Sequence, residues 1–216
     1  MIVFRRARAL LSLAVFAALA AYPLIGGAMA QETMAALVAR PGLLPEIALG
    51  SAKAPVTIVE YASMSCPHCA AFGENVFPML RSKYINTGKV RFVFREFPLD
   101  IKAAAASILA RCIGKDDPEK FFGAIQLLFQ QQEQLMAQTL ETMNRIGAYS
   151  GMNEQAVEAC VKDQSLLDKL KVDQTFAFEV LQVSATPTFF VNGERVNGTM
   201  SFEEFEARIK PLLKNK

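Results

Sequence analysis

The 216-residue chain carries 23 Lys and Arg against 21 Asp and Glu, and it is 52% hydrophobic. This near balance of charge argues against nucleic acid or an anionic membrane surface as a partner. His68 is the one histidine, which excludes a Ser-His-Asp triad, an HExxH zinc site and a multi-histidine metal centre.

Residues 1–30 have the design of a secretory signal peptide. Arg5, Arg6 and Arg8 form a basic start, Ala9 to Tyr22 is largely apolar, and Ala28-Met29-Ala30 offers a small-x-small cleavage site. The apolar run falls short of the roughly 20 residues a membrane span requires, so cleavage after Ala30 is expected rather than anchoring. The Arg5-Arg6 pair hints at twin-arginine export, but its surroundings fit ordinary export better. The leader removes three arginines and no acid, so the mature segment carries a net charge of −1. Its length suits one domain, with room for an insertion.

Along the mature chain, residues 31–52 read as a loosely docked lead-in with a short strand around Glu46–Ala48. The β-branched run Val56 to Tyr61 reads as a buried strand. A helix is expected from Ala70 to Tyr84, kinked by Pro78. Val90 to Phe97 reads as a second strand, ended by Pro98. The segment 101–180 then turns helical. Lys102 to Ile113 stops at Gly114, and Asp117-Pro118 opens a helix carrying Phe121, Phe122, Ile125, Leu128 and Phe129. Leu135 to Ala148 continues helically. Asn153 caps a helix with Val157, Cys160 and Val161, and Ser165 caps another towards Val180. Gln130 to Gln134 is a polar stretch, not a tail. Strands return with Thr188 to Val191, a two-residue Asn192-Gly193 turn, and Arg195 to Gly198. Ser201 and Glu204 form a capping box for a last amphipathic helix. The order is β-α-β, a helical block, then β-β-α, with the first two strands parallel.

The chemistry centres on Cys66-Pro67-His68-Cys69, where the first strand hands over to a helix. Two intervening residues let the sulfurs close a disulfide across the first helical turn. Unpaired amides and the helix dipole favour an anion at Cys66, lowering its pKa. Protonated His68 would add positive charge, and Pro67 preorganises the turn without a competing amide. A stabilised thiolate favours the reduced form, so the disulfide becomes a stronger oxidant. Half of a zinc site and a merely structural disulfide are the alternatives. A structural zinc needs four ligands, and Cys112 and Cys160 lie far off in sequence.

The segment Val59-Glu60-Tyr61 through Cys66-Pro67-His68-Cys69, with Ala185-Thr186-Pro187-Thr188-Phe189-Phe190-Val191-Asn192-Gly193, resembles the DsbA-like branch of the thioredoxin superfamily. The resemblance covers essentially the whole mature chain. It implies an α/β thioredoxin fold, a central mixed sheet flanked by helices, built from residues 31–100 and 181–216 with an all-helical insertion at 101–180. Cys66 would then be the exposed nucleophile and Cys69 the buried resolving cysteine. Pro187 would be a cis-proline facing the pair, with the Thr186 backbone pairing a substrate strand. Glu60 would be a buried carboxyl exchanging protons with Cys69, its pKa raised by desolvation; an edge position in water is the other reading. For Cys112 and Cys160 a structural disulfide is the first reading and two buried thiols the second. The aromatic stripe Phe121, Phe122, Phe129, Phe176 and Phe178 reads as core rather than peptide groove.

The leading expectation is a periplasmic oxidase, monomeric and without a cofactor beyond its redox-active disulfide. Its clients would be reduced exported proteins, and a membrane-bound DsbB-like protein would reoxidise it. A disulfide isomerase or reductase is the second reading, supported by threonine rather than valine before Pro187. It is opposed by the shortness of residues 31–50, which leaves no room for a separate dimerisation domain. A thiol-based metal-binding protein is the third.

Overall fold

The computed structural model describes residues 32–214. The expected leader and its cleavage point lie outside them. The lead-in is more ordered than its mixed sequence suggests. Thr33 caps a short helix α1 (Met34–Ala39), its hydroxyl accepting from the Ala36 amide at 3.2 Å. Strand β1 (Ile47–Leu49) follows, and Val38, Leu44, Ile47 and Leu49 are all buried.

Strands β2 (Val56–Ala62) and β3 (Val90–Glu96) lie parallel, with Val56 opposite Val90 and Ala62 opposite Glu96. Strand β1 joins the outer side of β3 in antiparallel register. On the other side of β2 lies β4 (Thr188–Val191), antiparallel, and the chain returns as β5 (Glu194–Asn197). Asn192 and Gly193 both take positive φ, 47° and 86°, as a tight hairpin turn demands. The sheet order is β1-β3-β2-β4-β5, so β2 is central and its C-terminal end delivers the cysteine pair.

The helix after β2 starts three residues earlier than expected, at Pro67, and is broken. Helix α2 (Pro67–Asn75) meets α3 (Phe77–Leu80) at Val76, whose φ is −115°, and a π-helical turn spans Arg81–Ile85. Pro78 has no N–H to bond the preceding turn, and its ring crowds the carbonyl four residues back. The distortion therefore appears one to two residues before the proline.

Between β3 and β4 run six helices: α4 (Ile101–Gly114), α5 (Pro118–Gln130), α6 (Gln132–Ala137), α7 (Thr139–Tyr149), α8 (Glu154–Val161) and α9 (Gln164–Glu179). Asp117 and Asn153 cap α5 and α8 as expected. Helix α9 is capped by Asp163, which accepts from the Leu166 amide at 3.1 Å, not by Ser165. The last helix, α10 (Phe202–Lys214), opens on the reciprocal Ser201–Glu204 pair. Among the described residues no helix is long and apolar enough to cross a membrane.

The period-2 pattern of β2 splits its side chains between two layers. Ile58 and Ala62 join a core with Phe72, Phe92, Phe94, Phe121, Phe189 and Phe205. Val59 and Tyr61 face Val38, Phe190, Ala177 and Leu181 on the other side. The Phe72 ring lies 4.7 Å from Phe189 and 5.6 Å from Phe205, clamping α2 to the sheet. Phe121 and Phe122 pack edge-on against Phe94, so the helical block shares the core of the strands. The expected aromatic stripe ends early: Phe178 is 57% exposed, because Ala177 takes the inward face of α9 and its neighbour points about 100° away.

Two cross-links tie the block down. Arg111 on α4 makes a bidentate, nearly dry pair with Glu96 at the end of β3, at 2.6 and 2.7 Å, and also donates to the Pro45 carbonyl. Cys112 on α4 and Cys160 on α8 form a disulfide across 48 residues of chain. In the chain-entropy account a loop of that size stabilises by about 4 kcal/mol. Replacing both with alanine should therefore lower unfolding stability by about 2–4 kcal/mol in urea titration, leaving the Cys66 pair intact. A loss below about 0.5 kcal/mol would show that the bridge is not a stabilising staple.

Candidate active site

Helix α2 begins on the cysteine pair. Cys66 is its N-cap, with extended backbone (φ −87°, ψ 116°), and Pro67 occupies the first helical position. The Cys66 carbonyl accepts from the amides of Cys69 and Ala70 at 3.1 and 3.2 Å, and its own amide donates to Ser63 at 3.1 Å. Ser63 is buried, and its hydroxyl accepts from the Leu99 amide at 3.1 Å. The turn between β2 and α2 is thereby fixed to the segment after β3.

Both active-site thiols are reduced. Cys66 is only 4% exposed, which corrects the expectation of an exposed nucleophile. The Thr186–Pro187 peptide is cis, and the Thr186 carbonyl accepts from Cys66 Sγ at 3.2 Å. Sγ thus lies under this loop and not on an open surface. Pro67 and His68 are exposed on the first turn.

The electrostatics of the two sulfurs diverge. A hydrogen bond from the Cys69 thiol is the largest influence on Cys66. The Thr186 hydroxyl and the amides of Cys69 and His68 act in the same direction, against the opposing effect of burial. Together they bring the Cys66 thiol down to about 5. His68 contributes to this lowering through its backbone amide. Burial pushes Cys69 well above the ordinary thiol range, and donation to Cys66 and the nearby Glu60 add to the rise.

Thr186 has two faces towards the sulfur. In the thiol form Cys66 donates to its carbonyl. Its hydroxyl is buried without a partner in this state, and once the sulfur ionises it is the group positioned to donate. Glu60 lies on β2, 2% exposed, which removes the edge reading. Phe72, Phe77, Phe92, Phe94 and Phe122 line the small cavity beside it. One carboxyl oxygen is buried without a hydrogen bond. Burial, with a lesser effect from the Cys66 charge, raises its pKa well above the carboxylate range.

One contact was not legible in the sequence. Gln132, from the polar stretch 130–134, donates its side-chain amide to the carbonyls of Met64 and Cys66 at 2.8 and 3.1 Å. Only its composition as a polar island between apolar helices marked it. Among the described residues no group of three or more His, Cys, Asp or Glu side chains is placed to hold a metal. Cys112 and Cys160 are engaged with each other.

A reduced pair of thiols at a helix start, facing a cis-proline loop on a five-stranded mixed sheet, defines a thioredoxin-type redox protein. The sequence matches the thioredoxin family over residues 44–211, and the chain belongs to that family, within its DsbA-like branch. It is 32% identical to alpha-DsbA1 of Wolbachia pipientis, whose crystal structure superposes with a TM-score of 0.74 over 80% of this chain and 94% of that one. It is 30% identical to a probable disulfide bond formation protein D of Bacillus cereus, covering 77% of this chain and 78% of that protein. A putative protein-disulfide oxidoreductase of Rickettsia bellii is 34% identical over 68% of this chain, but the chain spans only 57% of that protein's length.

Above the Cys66 pKa its sulfur is a thiolate, so nucleophilic reactivity should already be high at neutral pH. Alkylation of the reduced protein should rise with pH around a midpoint near 5. Thr186→Val, which removes the hydroxyl donor, should move that midpoint upward. A midpoint at the ordinary thiol value of about 8.5 would contradict the site geometry.

Proposed function

We propose that the chain is an exported oxidase that introduces disulfides into reduced client proteins. The observation that carries this reading is the contrast between Cys66, at the N-cap of α2 under the Thr186 loop where its anion is favoured, and Cys69, fully buried beside Glu60 where the thiol is favoured. A client thiolate attacks Sγ of Cys66 in the Cys66–Cys69 disulfide. The S–S bond breaks, and Cys69 departs with the electron pair. Glu60, kept protonated by burial, supplies the proton that Cys69 takes up. A second client thiolate then attacks the client sulfur of the mixed disulfide and expels Cys66. The client loses two electrons and the cysteine pair gains them. The low pKa of Cys66 makes it the better leaving group in that last step.

No cofactor beyond the pair is required in this scheme. Export through the residues 1–30 leader would place the protein in the periplasm. A membrane-bound protein of the DsbB kind would regenerate the disulfide there. Monomeric action is consistent with residues 32–49 being used as α1 and β1 within the fold, rather than as a separate dimerisation segment, which also counts against the isomerase reading.

The test is turnover of a reduced client together with equilibration in glutathione buffers. The oxidised protein should form client disulfides stoichiometrically, Cys66→Ala should abolish the reaction, and Cys69→Ala mixed with a disulfide-bonded client should accumulate the mixed disulfide, since Cys66 attacks the client bond and no second thiol is left to resolve it. Its potential should be more oxidising than that of glutathione. A strongly reducing potential, near that of thioredoxin at about −270 mV, would overturn the oxidase reading.

A further inference from the structure

We infer that Gln132 is a positioning residue through which the helical insertion tunes the Cys66 thiolate; the inference rests on the thiol chemistry proposed above. Helices α5 and α6 are separated by a single non-helical residue, Gln131 (φ −109°, ψ 27°), and the break sets Gln132 at the start of α6. Its side chain reaches across 66 residues of sequence to the active-site turn, donating to the Cys66 carbonyl at 3.1 Å and the Met64 carbonyl at 2.8 Å. The break itself is held. Gln131 accepts from both Nε and Nη2 of Arg145 on α7, at 3.1 and 2.9 Å. Leu135 is fully buried, and Lys102 donates to the Met136 carbonyl at 2.6 Å.

The effect on the sulfur follows from the position of the two carbonyls. Each presents the negative end of its dipole near the start of α2, where charge on Sγ develops. A donor on them offsets that field. The Cys66 carbonyl also accepts from the amides of Cys69 and Ala70. Fixing it therefore fixes the turn whose His68 and Cys69 amides face the sulfur. Gln132 hydrogen-bonds the backbone and not the sulfur. It acts through that backbone.

The test is titration of the Cys66 thiolate by its ultraviolet absorbance in the full chain, with a glutathione equilibrium on each variant. Gln132→Met keeps length but donates nothing, Gln132→Glu sets a carboxylate against the carbonyls, and Gln132→Arg restores donors. Gln134→Ala is the control, since Gln134 is exposed on the same short helix. The acid dissociation constant of Cys66 should fall in Gln132→Met, by at most about fivefold, the full worth of one neutral hydrogen bond. It should fall further in Gln132→Glu and stay near wild type in Gln132→Arg and Gln134→Ala. The glutathione constant should shift in step. If Gln132→Met does not fold, Gln132→Glu against Gln132→Arg carries the same comparison. The inference is overturned if the Met and Glu variants titrate with the wild type, whatever their thermal stability, or if the Arg variant shifts with them. A wild-type Cys66 that titrates as an ordinary thiol instead overturns the proposed function itself.

Discussion

The groups placed to donate to Cys66 Sγ once it ionises are the Cys69 thiol, the amides of His68 and Cys69, and the Thr186 hydroxyl. They come from two parts of the chain, the turn that opens α2 and the loop before β4, which only the folded sheet brings together. The helix supplies the amides because Cys66 is its N-cap, and the cap exists because β2 ends where it does. The Thr186 loop arrives because β4 pairs with β2 on the side opposite β3. Much of the core around Phe72 serves to hold this junction still. Displacing α2 from Phe189 and Phe205 would separate donors from sulfur while leaving the sequence motif untouched.

The same arrangement has an unfavourable side. Glu60 is buried among phenylalanine rings with an oxygen that no group satisfies, and Cys69 is held neutral against it. A carboxyl in that place destabilises the fold whenever it is forced to ionise. Such a group is explicable as a proton store for a sulfur that must be protonated quickly when it leaves a disulfide. The cost and the chemistry have one origin, which is the dryness of the space behind the pair.

What could be read from the sequence was what local chemistry decides. The Cys66-to-Cys69 motif, the Asn192-Gly193 turn, the Asp117-Pro118 start and the Ser201–Glu204 box each specify their geometry within a few residues. All four appear in the structure as expected. What stayed hidden depended on distant partners. Helix α1 exists because Val38 has a sheet face to cover. Asp163 rather than Ser165 caps α9, and both are good caps in isolation. Cys66 looked exposed until the Thr186 loop, 120 residues later, was seen to cover it. Gln132 is only one of a polar stretch in the sequence, because its acceptors are backbone carbonyls, which leave no mark there.

If the thiolate is the source of oxidising power, it must also set the relative stability of the two redox forms. Its folded pKa is depressed, so its contribution appears as pH rises above about 5 and is complete near the unfolded thiol value of about 8.5. At pH 8 three units correspond to at most about 4 kcal/mol in favour of the reduced form. Closing the short Cys66–Cys69 loop favours the disulfide form by about 2 kcal/mol. Denaturant unfolding of both forms, with Cys112–Cys160 kept oxidised, should therefore find the reduced protein more stable at pH 8 and the disulfide form more stable at pH 5. A disulfide form that is the more stable at both pH values would contradict the account.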